Sequence, residues 1–124
     1  MLDNFSCTYD TELNIFRISW DGLTTPSDVR EMWINLVLNG NIPKDCKGFL
    51  VDQSNIELES GFSGYKTVTD VFKEYGELFK QRKIAVLVDG PKLTAEFIMM
   101  QRQSEGANLK PFCEEFAAIR WILM

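Results

Sequence analysis

The chain has 124 residues, a formal net charge of −5, 45% hydrophobic and 25% charged residues, and no histidine. That length makes one domain with a real core, and the acidic balance argues against a nucleic-acid partner, whose phosphates it would repel. Without imidazole there is no Ser-His or Cys-His catalysis, no His-ligated metal and no ordinary neutral-pH general base, so an enzyme would have to work through carboxylates, lysine, tyrosine or cysteine.

Taken in order, Phe5 to Tyr9 reads as a first strand and Asp10 to Asn14 as a polar turn. Ile15 to Trp20 is a second strand, in which Phe16, Ile18 and Trp20 alternate with Arg17 and Ser19, giving one buried and one wet face. Asp21-Gly22 ends it. Thr25-Pro26-Ser27-Asp28 is a helix start, with a cap, a proline at the first helical position and an acid in the first turn. Val29, Met32, Trp33, Leu36 and Val37 then follow helical spacing, and Asn39-Gly40-Asn41 with Pro43 closes the helix.

Gly48 to Asp52 is a third strand, followed by a polar loop, Gln53 to Gly64. Tyr65, Val68, Phe72, Tyr75 and Phe79 mark one amphipathic helix with Gly76 inside it. Lys83 to Val88 is a fourth strand, a continuous apolar run stopped by Asp89-Gly90-Pro91 and therefore buried on both faces. Leu93, Phe97 and Met100 mark a helix to about Gln103, capped at Gly106. Leu109 to Phe112 is a short last strand, and Glu114 to Met124 a closing helix with Phe116, Ile119 and Leu123 turned inward.

The order β-β-α-β-α-β-α-β-α implies a single α/β domain over residues 1–124, with a mixed, mostly parallel sheet, an N-terminal antiparallel hairpin and four helices. Leu50-Val51-Asp52 and Leu87-Val88-Asp89 end alike and should be parallel neighbours. No apolar run nears the roughly 20 residues of a membrane span, and Asp3 and Asn4 do not suit a secretory leader. Cys7, Cys46 and Cys113 fit neither a disulfide framework nor a zinc spacing, so the expected compartment is a reduced cytoplasm. Lys80, Gln81, Arg82 and Lys83 form the densest basic cluster, placed where cations complement the C-terminal end of a helix.

The opening hairpin with Ile15 to Gly22, the Gly48 to Asp52 strand, Lys83 to Val88 and the ending Phe116 to Ile122 together resemble the SpoIIAA-like fold. That fold is shared by STAS domains (sulfate transporter and anti-sigma-factor antagonist) and by STAS/CRAL-TRIO-like relatives, and the resemblance covers nearly the whole chain. The relatives most similar in pattern are small bacterial proteins of unknown function. In the antagonists a phosphorylatable serine opens the helix after the third strand, and the resemblance implies Ser60 for that role. Ser60-Gly61 matches the end of the motif, and Glu59 departs from it.

Open α/β sheets bind ligands beyond the carboxyl ends of their strands, which singles out Asp52, Ser54, Asp89 and Gly90, with Gly61 in the following loop. Asp52 and Asp89 could hold Mg²⁺ or exchange protons, or each could cap a turn. Without a recognisable third ligand the capping reading is preferred, and no catalytic residue, metal or cofactor is assigned. Tyr65, Phe72, Tyr75, Phe97 and Met100 could line a pocket for a small apolar ligand, or form ordinary core. Cys113, at a strand-to-helix junction in a chain without histidine, reads as a buried, inert thiol. Trp121 to Met124 is too apolar for one helix face to bury and could mark a homodimer contact. The expected function is a non-enzymatic cytoplasmic protein-interaction or regulatory domain, the alternative a carrier of an amphiphilic or lipid-like ligand.

Overall fold

A computed structural model describes residues 5–40, 42–58, 66–103 and 108–124, with the backbone alone described at 55–58, 100 and 103. Its strands are β1 (Phe5–Asp10), β2 (Ile15–Thr24), β3 (Gly48–Leu58), β4 (Lys83–Leu87) and β5 (Asn108–Phe112). Its helices are α1 (Pro26–Asn39), α2 (Lys66–Glu74), α3 (Gly76–Lys80), α4 (Pro91–Gln103) and α5 (Glu115–Leu123). The strands form one sheet in the order β1-β2-β3-β4-β5. β1 runs antiparallel to β2, and every other pair is parallel.

This order dictates where the helices go. Successive parallel strands added in one direction, each through a right-handed crossover, must put all crossover helices on the same face. α1, α2, α3 and α4 therefore share a core with Phe16, Ile18, Trp20, Phe49, Val51, Ile84, Val86 and Leu109. α5 follows the last strand, is bound by no crossover, and packs on the opposite face. There Ala118 and Ile122 meet Ile15, Leu50, Ala85 and Leu87. The β4 run is buried throughout from Ile84 to Val88, and pairs with β3 so that Leu50 faces Ala85 and Asp52 faces Leu87. The two strands with like endings are thus parallel neighbours.

Local signals account for the ends of α1. Thr25 is the N-cap: its Oγ1 accepts the Asp28 N–H at 3.1 Å, and the Asp28 carboxylate accepts the Thr25 N–H at 3.5 Å. Gly40 is the C-cap with ordinary right-handed φ, so its need is space: a Cβ there would collide with the Leu36 carbonyl. The inner face of α1 carries Trp33, whose ring meets those of Phe49, Phe72 and Phe79 edge to face.

Several sequence expectations are corrected. β2 runs on past Asp21-Gly22 to Thr24, and β3 past Asp52 to Leu58, the two extensions pairing with each other after a register shift between Ser19 and Asp21. Half of the expected loop from Gln53 is therefore strand. The expected helix to Phe79 is broken at Tyr75 (φ −105°, ψ 39°), giving five helices among the described residues in place of four. Gly76 follows the break, where its weak helix propensity does nothing to carry the chain straight on. α5 is rolled from the expected face: Phe116 is 66% exposed and Leu123 39%, while Ala118 and Ile122 are buried. Ala118 lets the helix approach Ala85 and Leu87 closely, which a phenylalanine would prevent. The expected cap at Gly106 lies outside the described residues.

Candidate functional site

The carboxyl end of β3 carries the first candidate residues. Ser19 of β2 pairs with Asp52, but the next pair is Asp21 with Asn55, so β3 holds an extra residue opposite Trp20. Such a bulge leaves a backbone group without a ladder partner. Asp52 supplies one: its Oδ1 accepts the Ser54 N–H at 3.0 Å and the Ser54 hydroxyl at 2.6 Å. Asp52 and Ser54 are thus brought together, as a local bulge clasp. Asp89 lies two residues beyond Leu87, the partner of Asp52. Its neighbour Gly90, at φ 91°, turns the chain into α4, and the Gly90 carbonyl accepts the Thr94 N–H and hydroxyl. Among the described residues no group of three or more Cys, Asp or Glu gathers as a metal site.

On the face of α5, Asp52 opens into a groove that the sequence reading did not assemble. Ser6 and Thr8 of β1, Arg17 and Ser19 of β2, Leu50 and Asp52 of β3 and Glu115 of α5 line about 220 Å³. Strand alternation puts these side chains on one face, and α5 rests on β3, β4 and β5 and reaches β2 at Ile15, leaving β1 and the rest of β2 open. Arg17 is held between two carboxylates, Nε to Asp10 at 3.2 Å and Nη1 to Glu115 at 3.3 Å. The Asp10 carboxyl is held below its usual range, first by the Leu13 N–H, with Arg17 and the Glu12 N–H adding to it. The available signal was the polar alternation Arg17, Ser19 on a strand beside the sheet edge. What turned a wet face into a groove was the position of α5, which no local pattern specifies.

The opposite face is filled. Phe72 and Phe97 are buried, and with Val29, Trp33, Val51, Val68, Ile84, Val86 and Leu109 they border a void of about 20 Å³. That is room for about one water. Gln53 is 3% exposed at the same void, and its Oε1 has no hydrogen-bond partner. Tyr75 is half-buried against this core. Tyr65, Ser60, Gly61 and the Met100 side chain lie outside the described residues.

The remaining candidates lie apart. Cys46 is buried, and its thiol donates to the Gly48 carbonyl at 3.4 Å. Burial pushes that thiol up, outweighing the neighbouring Arg82 guanidinium. Cys7 is exposed, and so is Cys113, against the expectation of a buried thiol, because it stands ahead of α5 where that helix has not yet met the sheet; all three are free thiols. At the end of α5, Trp121 is half-buried over Phe112 and Ile122 is buried, while Met124 is 87% exposed.

A crystal structure of an uncharacterized protein of the DUF3478 family, with a SpoIIAA-like fold, from Shewanella loihica PV-4, superposes on 98% of this chain and 96% of its own length with a TM-score of 0.65. The chain has the SpoIIAA-like fold. This is the fold that the pattern of the hairpin and the two like-ended strands implied. Sequence identity between the two is 16%, so the likeness carries architecture and no activity. No family model matches the sequence, and no curated protein matches it either. No helix among the described residues is long and apolar enough to cross a membrane.

Proposed function

We propose that this SpoIIAA-like domain is a non-enzymatic interaction module, acting in a reduced cytoplasm, that docks a protein partner on the half of the sheet left open by α5. The supporting observation is the groove itself. A single arginine is fixed between Asp10 and Glu115, hydroxyls of Ser6, Thr8 and Ser19 stand beside it, and Phe116, the residue after Glu115 in α5, is 66% exposed. Arginine and aromatic side chains beside satisfiable polar groups are the usual anchors of protein interfaces. The non-enzymatic part of the reading is supported by the use Asp52 already has, closing the β3 bulge. A homodimer through the other end of α5 would cover Leu123 and Met124.

The test compares cross-linked complexes from source-cell extract for the wild type, Ser19→Arg and Phe116→Ser. Both positions are exposed, so melting temperatures should be unchanged while a wild-type partner is lost from both variants. Retention of the same proteins by all three chains would reject this surface. One observation favours a carrier as a second reading: the unpartnered Gln53 Oε1 is a buried acceptor in apolar surroundings, where a ligand hydroxyl could bind. Native mass spectrometry with lipid extract decides it, since an unaltered apo mass removes that reading.

A further inference from the structure

The basic cluster before β4 is larger in space than in sequence. Lys44 and Lys47, in the turn before β3, join Gln81, Arg82 and Lys83 around one groove of about 300 Å³, with Ile122, Leu123 and Met124 along its other wall. No Asp or Glu is among these residues. Both ion pairs among the described residues belong to Arg17, so none of the four cations is matched by a described side-chain carboxylate. The two nearest the sheet serve helix ends: Arg82 Nη1 donates to the Leu78 carbonyl at 3.1 Å, and Lys83 Nζ to the Trp121 carbonyl at 2.7 Å and to Met124 O at 3.3 Å. A helix C-terminus offers only about half an elementary charge. Even with Lys83 set wholly against the oxygens it binds, Lys44, Lys47 and Arg82 leave the groove strongly positive, on a chain whose net charge is −5. Arg82 Nε itself is buried, so Arg82 acts on this groove through its charge.

We infer that this groove binds a phosphate group carried by a small molecule. Arg82, Lys44 and Lys47 supply the positive charge, and the Gln81 amide adds a donor. This site lies at the amino ends of β3 and β4, away from the Asp52 groove, and stands whatever docks there. The test titrates the full chain with inorganic phosphate and, separately, with glycerophosphoglycerol, a soluble phosphodiester, following amide chemical shifts. Expected are saturable shifts confined to Lys44, Lys47 and Gln81 to Lys83, weakened about tenfold or more in Lys44→Gln/Lys47→Gln. Those two side chains cap no helix, so the double variant should melt as the wild type does. The better-bound compound tells a terminal phosphate from a bridging one, and saturable binding of either supports the inference. Shifts that never saturate, or that the double variant reproduces unchanged, overturn it.

Discussion

Replacing Trp33 by alanine tests the account of the core most directly. The indole is 3% exposed and stands edge to face with three rings, at 5.3 Å from Phe49, 5.3 Å from Phe72 and 5.5 Å from Phe79. Those rings belong to α1, β3, α2 and α3, so one side chain ties three helices to the sheet. Large aromatic truncations cost about 3–5 kcal/mol, and the cost rises with the cavity left behind. Here a void of about 20 Å³ already borders Trp33, and the new cavity would merge with it. The loss should therefore fall in the upper half of that range, about 4 kcal/mol, against a total of roughly 5–15 kcal/mol for a domain of this kind. Trp33→Phe keeps a ring in the cluster and should lose less than half as much. Urea unfolding followed by fluorescence and by circular dichroism measures both variants. A loss below about 1.5 kcal/mol for Trp33→Ala, with the urea slope unchanged, would refute the claim that this ring organises the core.

Three further outcomes follow from single sites. Gly48→Ala places a Cβ against the Lys83 carbonyl and within 2.9 Å of Ile122 Cγ2, so β3, β4 and α5 must separate; a loss of about 1–3 kcal/mol is expected in thermal unfolding. The Asp10 carboxyl is depressed in the folded chain, so its contribution is present above the unfolded carboxylate pKa and lost as pH falls through the folded value; Asp10→Asn should flatten the acid side of the stability–pH curve and leave the neutral side flat. A thiol reagent at neutral pH should label Cys7 and Cys113 in the native chain and Cys46 only on unfolding; prompt labelling of all three would contradict its burial and raised pKa.

The elements were legible wherever one residue pattern had one structural meaning. The run from Ile84 to Val88 could only be a strand buried on both sides, and Thr25-Pro26 with Asp28 could only open a helix. Legibility failed where tertiary pairing overrode a local signal. Asp21-Gly22 reads as a stop, yet β2 continues because β3 continues beside it, and Gly22 takes φ 76° in doing so. Phe116 reads as an inward residue, yet small Ala118 decides which face of α5 meets the sheet. At the candidate site the Asp52–Ser54 clasp was within reach of sequence, since the two residues are neighbours. Arg17 with Glu115, and Lys47 with Lys83, were not, because each pair meets only through strand order and the return of α5.

The open half of the sheet is itself a consequence of topology. Five strands about 4.8 Å apart span close to 20 Å, whereas a helix with its side chains is about 10–12 Å across. One helix covers two or three strands. Since β1 to β5 are laid down in order, every crossover helix is committed to the other face, and among the described residues α5 alone serves this one. β1, and β2 beyond Ile15, must then present polar side chains, as Ser6, Thr8, Arg17 and Ser19 do. Ser19→Val probes the argument, because a position facing water gains nothing from burial and loses no packing. Its unfolding free energy should stay within about 0.5 kcal/mol of the wild type. A loss above about 1.5 kcal/mol would mean that the face is packed in the native protein, and that the groove beside Arg17 is not available to a partner.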